Sequence, residues 1–430
     1  MHFIINITHH KYFDKNINEN MIKDSKSGIN DINEYYFLKD FKKMYGDSCI
    51  LFENYFRIII TPNYSKNNST HNSENMWSSY AAKLKTSKII LSDKYYLYDI
   101  KTIKKFKLKI TPSYIAFLCM NNHIEILDWL KENGLLVRCN SFALSTASSF
   151  GRIGVLNWWV NSGLPFEYSE WALDWASGHG EIKTLDWWVN SGLELKYSKD
   201  ALDGASRGGQ VNVLDWWVNS GLELKYSKDA LDDASRCNLV DVLDWWKNSG
   251  LELKYSEYGL DEASYNGYIN VLDWWKNSGL ELKYSLDVLN GVSVSGYVNV
   301  LDWWCNSGLE LMYDEKALDN ACLYNHVNVL QWWFNSKMPL KYSENGINWA
   351  SGKGYIDVLK WWFNSGLPLK YSEEALHWAT QNDMIDVIKL WFNSGLPLKY
   401  SVDTLDQLSI THSKNKDVRM LLENSGLLGN

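Results

Sequence analysis

Leu222-Glu223-Leu224-Lys225-Tyr226-Ser227-Lys228-Asp229-Ala230-Leu231-Asp232-Asp233-Ala234-Ser235-Arg236-Cys237-Asn238-Leu239-Val240-Asp241-Val242-Leu243-Asp244-Trp245-Trp246-Lys247-Asn248-Ser249-Gly250 is one turn of a pattern that fills most of the chain. Its first five residues alternate apolar and charged, the period of an extended segment with one face down. Ser227 stands where an N-cap belongs, and Asp229 follows in the first helical turn, where a carboxylate favours the helix dipole. Ala230, Leu231 and Ala234 are spaced to bury one stripe of a short helix. Val240, Val242, Leu243, Trp245 and Trp246 give a second helix a wide apolar face, and Asn248-Ser249-Gly250 stops it. The preceding unit ends its first helix at Arg207-Gly208-Gly209, where glycine supplies a left-handed turn.

The pattern recurs outward in both directions. Trp129, Trp158, Trp187, Trp216, Trp245, Trp274, Trp303, Trp332 and Trp361 are each 29 residues apart, and Leu390 continues the series. A second column follows one residue later, from Trp159 to Trp391, and the two columns hold 18 of the 23 tryptophans. Ten units keep strict register; an eleventh, with two extra residues near His412 to Asp417, places Leu421-Leu422 where the Trp pair belongs. Neither helix of a unit is long enough to persist alone in water. Each buries its apolar face only against the next unit, which is the logic of a solenoid. At roughly 8–10 Å between neighbouring helices, eleven units are expected to make a curved rod on the order of 100 Å long. Both Trp columns are expected in the core, where Trp→Ala costs about 3–5 kcal/mol.

The run Ala201 to Gly221, with Trp216-Trp217 in place of a Leu-Leu pair, resembles the ankyrin repeat: a short first helix, a turn closed by glycine, and a second helix ending in Gly. The resemblance covers about Lys107 to the C-terminus. It departs in length, since the ankyrin period is about 33 residues. The missing residues fall between the terminal Gly and the next first helix, where ankyrins carry a β-hairpin tip, so a shortened loop is expected there. The implied fold is mostly α: an ankyrin-like helix-turn-helix solenoid of about eleven units in residues 111–430, behind a small α+β N-terminal cap in residues 1–110.

In that cap, Phe3 to Ile7, Tyr35 to Leu38 and Ile50 to Thr61 read as strands, Ser87 to Leu91 as a short apolar run, Asn63 to Asn75 as a loop, and Asp99 as the start of a helix over Ile100 to Phe106. Covering the open end of the stack accounts for such a module. The head followed by the segment Lys88 to Phe106 and then repeats resembles the ankyrin-repeat proteins of amoeba-infecting giant DNA viruses, which implies a host protein as partner.

Composition narrows the function. With 46% hydrophobic and 22% charged residues the chain is a folded protein, and a net charge of -8 runs against a nucleic-acid binder. Cys49, Cys119, Cys139, Cys237, Cys305 and Cys322 form no C-x-x-C pair, as expected of free thiols in a reducing compartment. No leader and no membrane span is read, so the expected location is intracellular and cytoplasmic, in the host cell if the protein is viral. No catalytic motif, cofactor site or metal-ligand spacing is present: His9-His10 are mere neighbours, and Cys305 and Cys322 lie in different columns.

The expected activity is therefore non-enzymatic: a monomeric protein–protein interaction scaffold. Ankyrin-like arrays contact partners through the turn after the first helix and the residues around it. The columns that vary there supply the candidate partner-binding residues Arg207, Arg236, Tyr265 and Tyr324, expected as a patch on the concave face, together with Trp175, Trp349 and Trp378. Glu194/Lys196, Glu223/Lys225, Glu252/Lys254 and Glu281/Lys283 form charge columns of weak ion pairs, with Pro339, Pro368 and Pro397 replacing the Glu later. The alternatives are an array that reads nucleic acid one unit per base, opposed by the column Asp186, Asp215, Asp244, Asp273 and Asp302, and a purely structural spacer.

Overall fold

The computed structural model describes residues 2–5, 55–60, 90–91, 95–108, 110–136, 141–285, 287–401 and 404. The expected strand at Tyr35 to Leu38, the loop at Asn63 to Asn75 and the eleventh unit at Leu421-Leu422 lie outside the described residues. The chain forms two compact units, Met1–Ala201 and Leu202–Asn430.

In the first unit β1 (His2–Ile5) pairs antiparallel with β2 (Tyr55–Ile60), with Ile5 opposite Arg57. On β2 lie β3 (Ile90–Leu91) and β4 (Tyr95–Tyr96), both antiparallel. Helix α1 (Ile100–Phe106) follows. Asp99 caps it, accepting from the Thr102 N–H at 3.2 Å, and Lys107 ends it in the left-handed region at φ 45°. Its Thr102 and Ile103 are buried. Beside it the Tyr98 ring stacks on Phe117 at 4.1 Å, and the Tyr114 hydroxyl donates to the Leu97 carbonyl. The segment from Leu97 to Ile103 thus covers apolar surface of the first helix pair, which an unstacked repeat would leave wet.

Among the described residues ten helix pairs follow, from Pro112–Met120 with Ile124–Glu132 to Glu374–Gln381 with Ile385–Asn393. The specimen unit shows why each forms. Its first helix, Asp229–Arg236, buries Ala230, Leu231 and Ala234, small residues that let it approach its neighbours closely. Asn238, at φ 63°, turns the chain, and the Leu239 N–H returns to the Ala234 carbonyl at 2.9 Å. The second helix, Val240–Asn248, buries Val242, Leu243 and Trp246. Ser249 stops it: its hydroxyl donates to the Trp246 carbonyl and accepts from the Leu251 N–H, while Gly250 sits at φ 75°. The left-handed position after the second helix is glycine throughout except at Lys337, φ 62°. The connection to the next pair is extended but forms no strand among the described residues, so the shortened loop replaces the hairpin.

Ser227 acts one residue earlier than a strict N-cap. The helix begins at Asp229 after Lys228, and the Ser227 hydroxyl accepts from the Asp229 N–H at 3.2 Å. Only one of the two Trp columns is core. Trp159, Trp188, Trp217, Trp246, Trp275, Trp304, Trp333, Trp362 and Trp391 are at most 2% exposed, whereas Trp158, Trp187, Trp245 and their equivalents are half-buried. At roughly 100° per residue, the buried Val155, Leu156 and Trp159 share one stripe and Trp158 falls on its flank. Within each unit the first helices pack on one another more closely than the second helices do. The flanking indole lies in the wider gap.

Candidate functional site

Most repeating polar columns are occupied in joining one pair to the next. The buried indole N–H of Trp159, Trp188, Trp246, Trp275, Trp304, Trp333, Trp362 and Trp391 crosses to the first helix of the preceding pair. Trp188 reaches the Ser148 hydroxyl at 3.0 Å, Trp246 reaches Ser206 at 2.8 Å, and Trp275 reaches Ser235 at 3.0 Å. The serine hydroxyl in turn donates to a carbonyl four residues back, as Ser206 does to Leu202, so both groups are satisfied. Cys119 and Cys322 replace the serine opposite Trp159 and Trp362. Burial pushes the Cys119 thiol up to about 12, against the pull of the indole hydrogen bond, and likewise raises that of Cys322. Neither is a reactive thiol.

Flanking indoles also cross one unit. Trp158 donates to Asp128, Trp187 to Asn157, Trp245 to Asp215, Trp274 to Asp244, Trp303 to Asp273 and Trp332 to Asp302, all within 2.6–2.8 Å. Of the aspartates read as an acidic column, Asp215, Asp244, Asp273 and Asp302 are therefore acceptors for the neighbouring tryptophan.

A third column sits at the foot of the first helices. The Asp174 carboxylate accepts both the N–H and the hydroxyl of Ser198, at 2.9 and 2.7 Å. Asp203 with Ser227, Asp232 with Ser256 and Asp319 with Ser343 repeat this. Burial drives the Asp174 carboxyl up to about 6, opposed by the Ser198 bonds, and raises those of Asp232, Asp261 and Asp319. In one unit both partners change: Asn290 donates to Asp314 at 2.9 Å and accepts from its N–H.

On the loop edge, the Tyr226, Tyr255 and Tyr284 hydroxyls donate to the carbonyls of Glu252, Glu281 and Glu310. Tyr313, Tyr342 and Tyr371 donate likewise to Pro339, Pro368 and Pro397. Only the carbonyl is used, which proline retains, so either Glu or Pro serves in that column. Lys283, Lys341, Lys370 and Lys399 lie 4.4–4.7 Å over the tyrosine rings. The Glu–Lys pairs stay exposed at 3.7–4.0 Å and contribute little.

The outer surface of the first helices and their following turns differs from unit to unit. Arg207 and Arg236 converge on one carboxylate, Asp233, at 2.8 Å and 3.1 Å. Tyr265 and Tyr324 are exposed at 44% and 50%, and the Tyr265 ring lies beside Gly291. Trp349 and Trp378 are half-buried in adjacent pairs, with Trp378 lying against Gly352. Trp175 belongs to the other compact unit, where it stacks on Trp171 at 5.6 Å and meets the edge of Phe142. Arg207 and Arg236 are thus brought together on Asp233, Trp349 and Trp378 occupy the same position in adjacent pairs, and Trp175 lies in the first compact unit.

Sequence reading missed Trp171 and Tyr258, exposed at 45% and 44%. Their signal lay in the Asp229 column, where an acid that suits a helix start gives way to an aromatic ring. Among the described residues no group of three His, Cys, Asp or Glu side chains is arranged to hold a metal ion, and no helix is long and apolar enough to cross a membrane.

The 29-residue helix pairs, joined pair to pair by indole, carboxylate and tyrosine bonds, define a helical-repeat solenoid. No protein-family model matches the chain, and no curated protein sequence does. Among solved structures it is similar to the human ASB11 ankyrin repeat domain, at 13% identity and TM-score 0.37, over 46% of this chain and 98% of that one. It is also similar to the pentatricopeptide repeat protein PPR10 in complex with an 18-nt psaJ RNA element, at 14% identity and TM-score 0.40, over 77% of this chain and 55% of that one.

Proposed function

We propose that the protein is a non-enzymatic scaffold that holds a protein partner on the outer surface of its first helices and their turns. One observation carries this reading. Indole, serine, aspartate and tyrosine columns are consumed in joining the pairs, while Arg207, Arg236, Tyr265 and Tyr324 vary between units and stay at the surface. Arginine and aromatic side chains are the usual anchors of protein interfaces. Trp349 and Trp378 stand at the equivalent first-helix position of later pairs and Tyr258 adds to the same set, while Trp175 and Trp171 are the corresponding candidates in the first compact unit. Residues 1–110 serve as the cap of an array over 111–430, and the monomer is the working form. The likeness of the 88–106 segment to giant-virus ankyrin proteins favours a host-cell protein as the partner, met in the cytoplasm.

The test is capture from a eukaryotic cell lysate by the immobilised full chain, followed by mass spectrometry. Proteins retained by the wild type are expected to be lost on Arg207→Ala/Arg236→Ala/Tyr265→Ala/Tyr324→Ala. They are expected to stay on a control with Val189→Ala and Val218→Ala, both on second helices. Equal retention by the two variants would remove this surface from the function. Retention of nucleic acid that depends on Arg207 and Arg236 would favour the base-reading alternative.

A further inference from the structure

The loop edge changes character along the second compact unit. In earlier pairs Lys225 and Lys254 meet Glu223 and Glu252, two residues before them, at 3.9 and 4.0 Å. Where Pro339, Pro368 and Pro397 replace the glutamate, that partner is gone. Lys341, Lys370 and Lys399 donate instead to the carbonyls of Tyr313, Tyr342 and Tyr371, at 2.9, 2.9 and 2.7 Å. An ammonium group has three donors, so each keeps N–H groups to spare. None of the three is ion-paired among the described residues. A second row runs opposite. Glu315, Glu344 and Glu373, each the residue before a first helix, are exposed and equally without an ion pair among the described residues. Both rows wall two hollows of about 820 and 600 Å³, which share Glu344, Tyr371 and Lys399 and so form one groove. Half-buried Leu340, Leu369 and Leu398 complete its lining. The rows begin only here, since Leu286 and Met312 hold the two columns in the step before.

We propose that this groove binds a partner's peptide segment in the polyproline II conformation, carrying one acid and one base in every three residues. The rungs of the groove follow the helix pairs, roughly 8–10 Å apart. A β-strand repeats a face every 6.7 Å or so, and an α-helix turns in about 5.4 Å, so both fall out of step within three rungs. Polyproline II has three residues per turn and rises about 9.3 Å in that turn, which keeps step. One of its three faces then carries acids to the lysine row, a second carries bases to the glutamate row, and the third faces solvent. A uniformly charged strand fits less well, because phosphates that met the lysines would face a glutamate at every rung. Lysines already held at the tyrosine carbonyls lose less side-chain freedom when they meet a carboxylate. The groove shares no residue with the surface proposed above and does not rest on that reading.

The test uses the full chain and a fluorescein-labelled peptide of four Pro-Glu-Lys repeats, read by anisotropy across a salt series. The wild type should bind, with affinity falling as salt rises. Lys341→Gln/Lys370→Gln/Lys399→Gln and Glu315→Gln/Glu344→Gln/Glu373→Gln should each weaken binding about tenfold. A peptide of the same composition, four Glu-Lys repeats followed by four prolines, has a period of two and should bind the wild type about tenfold more weakly. A peptide of four Pro-Gln-Lys repeats has no acid for the lysine row, so it should bind the lysine-row variant no more weakly than the wild type. Lys225→Gln/Lys254→Gln/Lys283→Gln and Arg207→Ala/Arg236→Ala/Tyr265→Ala/Tyr324→Ala should bind Pro-Glu-Lys repeats as the wild type does, and far-ultraviolet circular dichroism confirms that each variant is folded. Absence of wild-type binding at about 50 mM salt, or equal binding of the period-two peptide, overturns the proposal. So does a loss of the Pro-Gln-Lys peptide from the lysine-row variant as large as that of the Pro-Glu-Lys peptide, which would give the lysines a role in loop shape alone. Tighter binding of poly-glutamate or single-stranded RNA than of Pro-Glu-Lys repeats overturns it as well.

Discussion

Thr184 stands where other second helices place valine, as at Val155, Val213, Val242 and Val271, and it is fully buried. Its hydroxyl has no hydrogen-bond partner in the structure. Leaving such a group dry costs free energy that a methyl in its place would not. Thr184→Val is expected to stabilise the protein by about 1 kcal/mol, measured as a higher urea midpoint with an unchanged slope. Asp174 makes the opposite point: its partners are in place, yet burial still raises its carboxyl to about 6 from 3.8. Between those values the folded chain holds a proton that the unfolded chain has released, so this group's contribution falls as pH rises from 4 to 6. Asn fits the site, because Asn348 already makes the equivalent pair with Ser372. Asp174→Asn should therefore raise the melting temperature at pH 7.5 more than at pH 5, and an equal shift at both would sink the assignment. Sequence reading put Asp174 in no role. Its partner lies 24 residues on, beyond the reach of helix periodicity.

At the scale of elements, the bonds between pairs come in matched sets. Where Asn290 replaces the usual aspartate, Asp314 replaces the usual serine, and the two contacts are kept. Asn290→Asp alone would set two carboxylates face to face at hydrogen-bond distance and is expected to destabilise at pH 7 by about 2 kcal/mol. Adding Asp314→Ser should recover most of that loss by restoring the pair seen at Asp232 and Ser256. A double-mutant cycle in urea reads the coupling, and additive losses would show that the pairing is incidental. The helices themselves were legible from local signals: spacing of Ala and Leu, and the Ser-Gly stop. The flanking Trp column was not. Trp245 and Trp246 are both bulky and adjacent in the chain, so composition ranks them alike. Only the width of the gap beside Val240–Asn248 separates a sealed indole from a half-open one.

At the scale of the molecule, each pair is joined chiefly to its neighbours, so stability is expected to behave as a sum of local terms. Trp275→Ala removes a buried indole and its bond to Ser235, at a cost of about 3–5 kcal/mol. Hydrogen exchange should show the loss concentrated in the helices from Asp229–Arg236 to Val298–Ser307, with Ser141–Ser149 and Ile153–Asn161 keeping their protection. A uniform fall over the whole chain would mean one cooperative block instead. Charge belongs to this scale too. An excess of cations before residue 111 and of anions after it is invisible in the net value, and it gives the two parts of the chain different partners to attract.

The 29-residue period, the helix pairs, their stops and the loss of the hairpin were all fixed by the order of residues, because each rests on neighbours within a few positions of one another. What lay beyond that order was the fate of each side chain across the seams. Whether an indole is sealed, whether an aspartate is a surface charge or an acceptor, and which arginines share a carboxylate depend on distances between residues 24 to 40 apart in sequence, which exist only once the pairs have stacked.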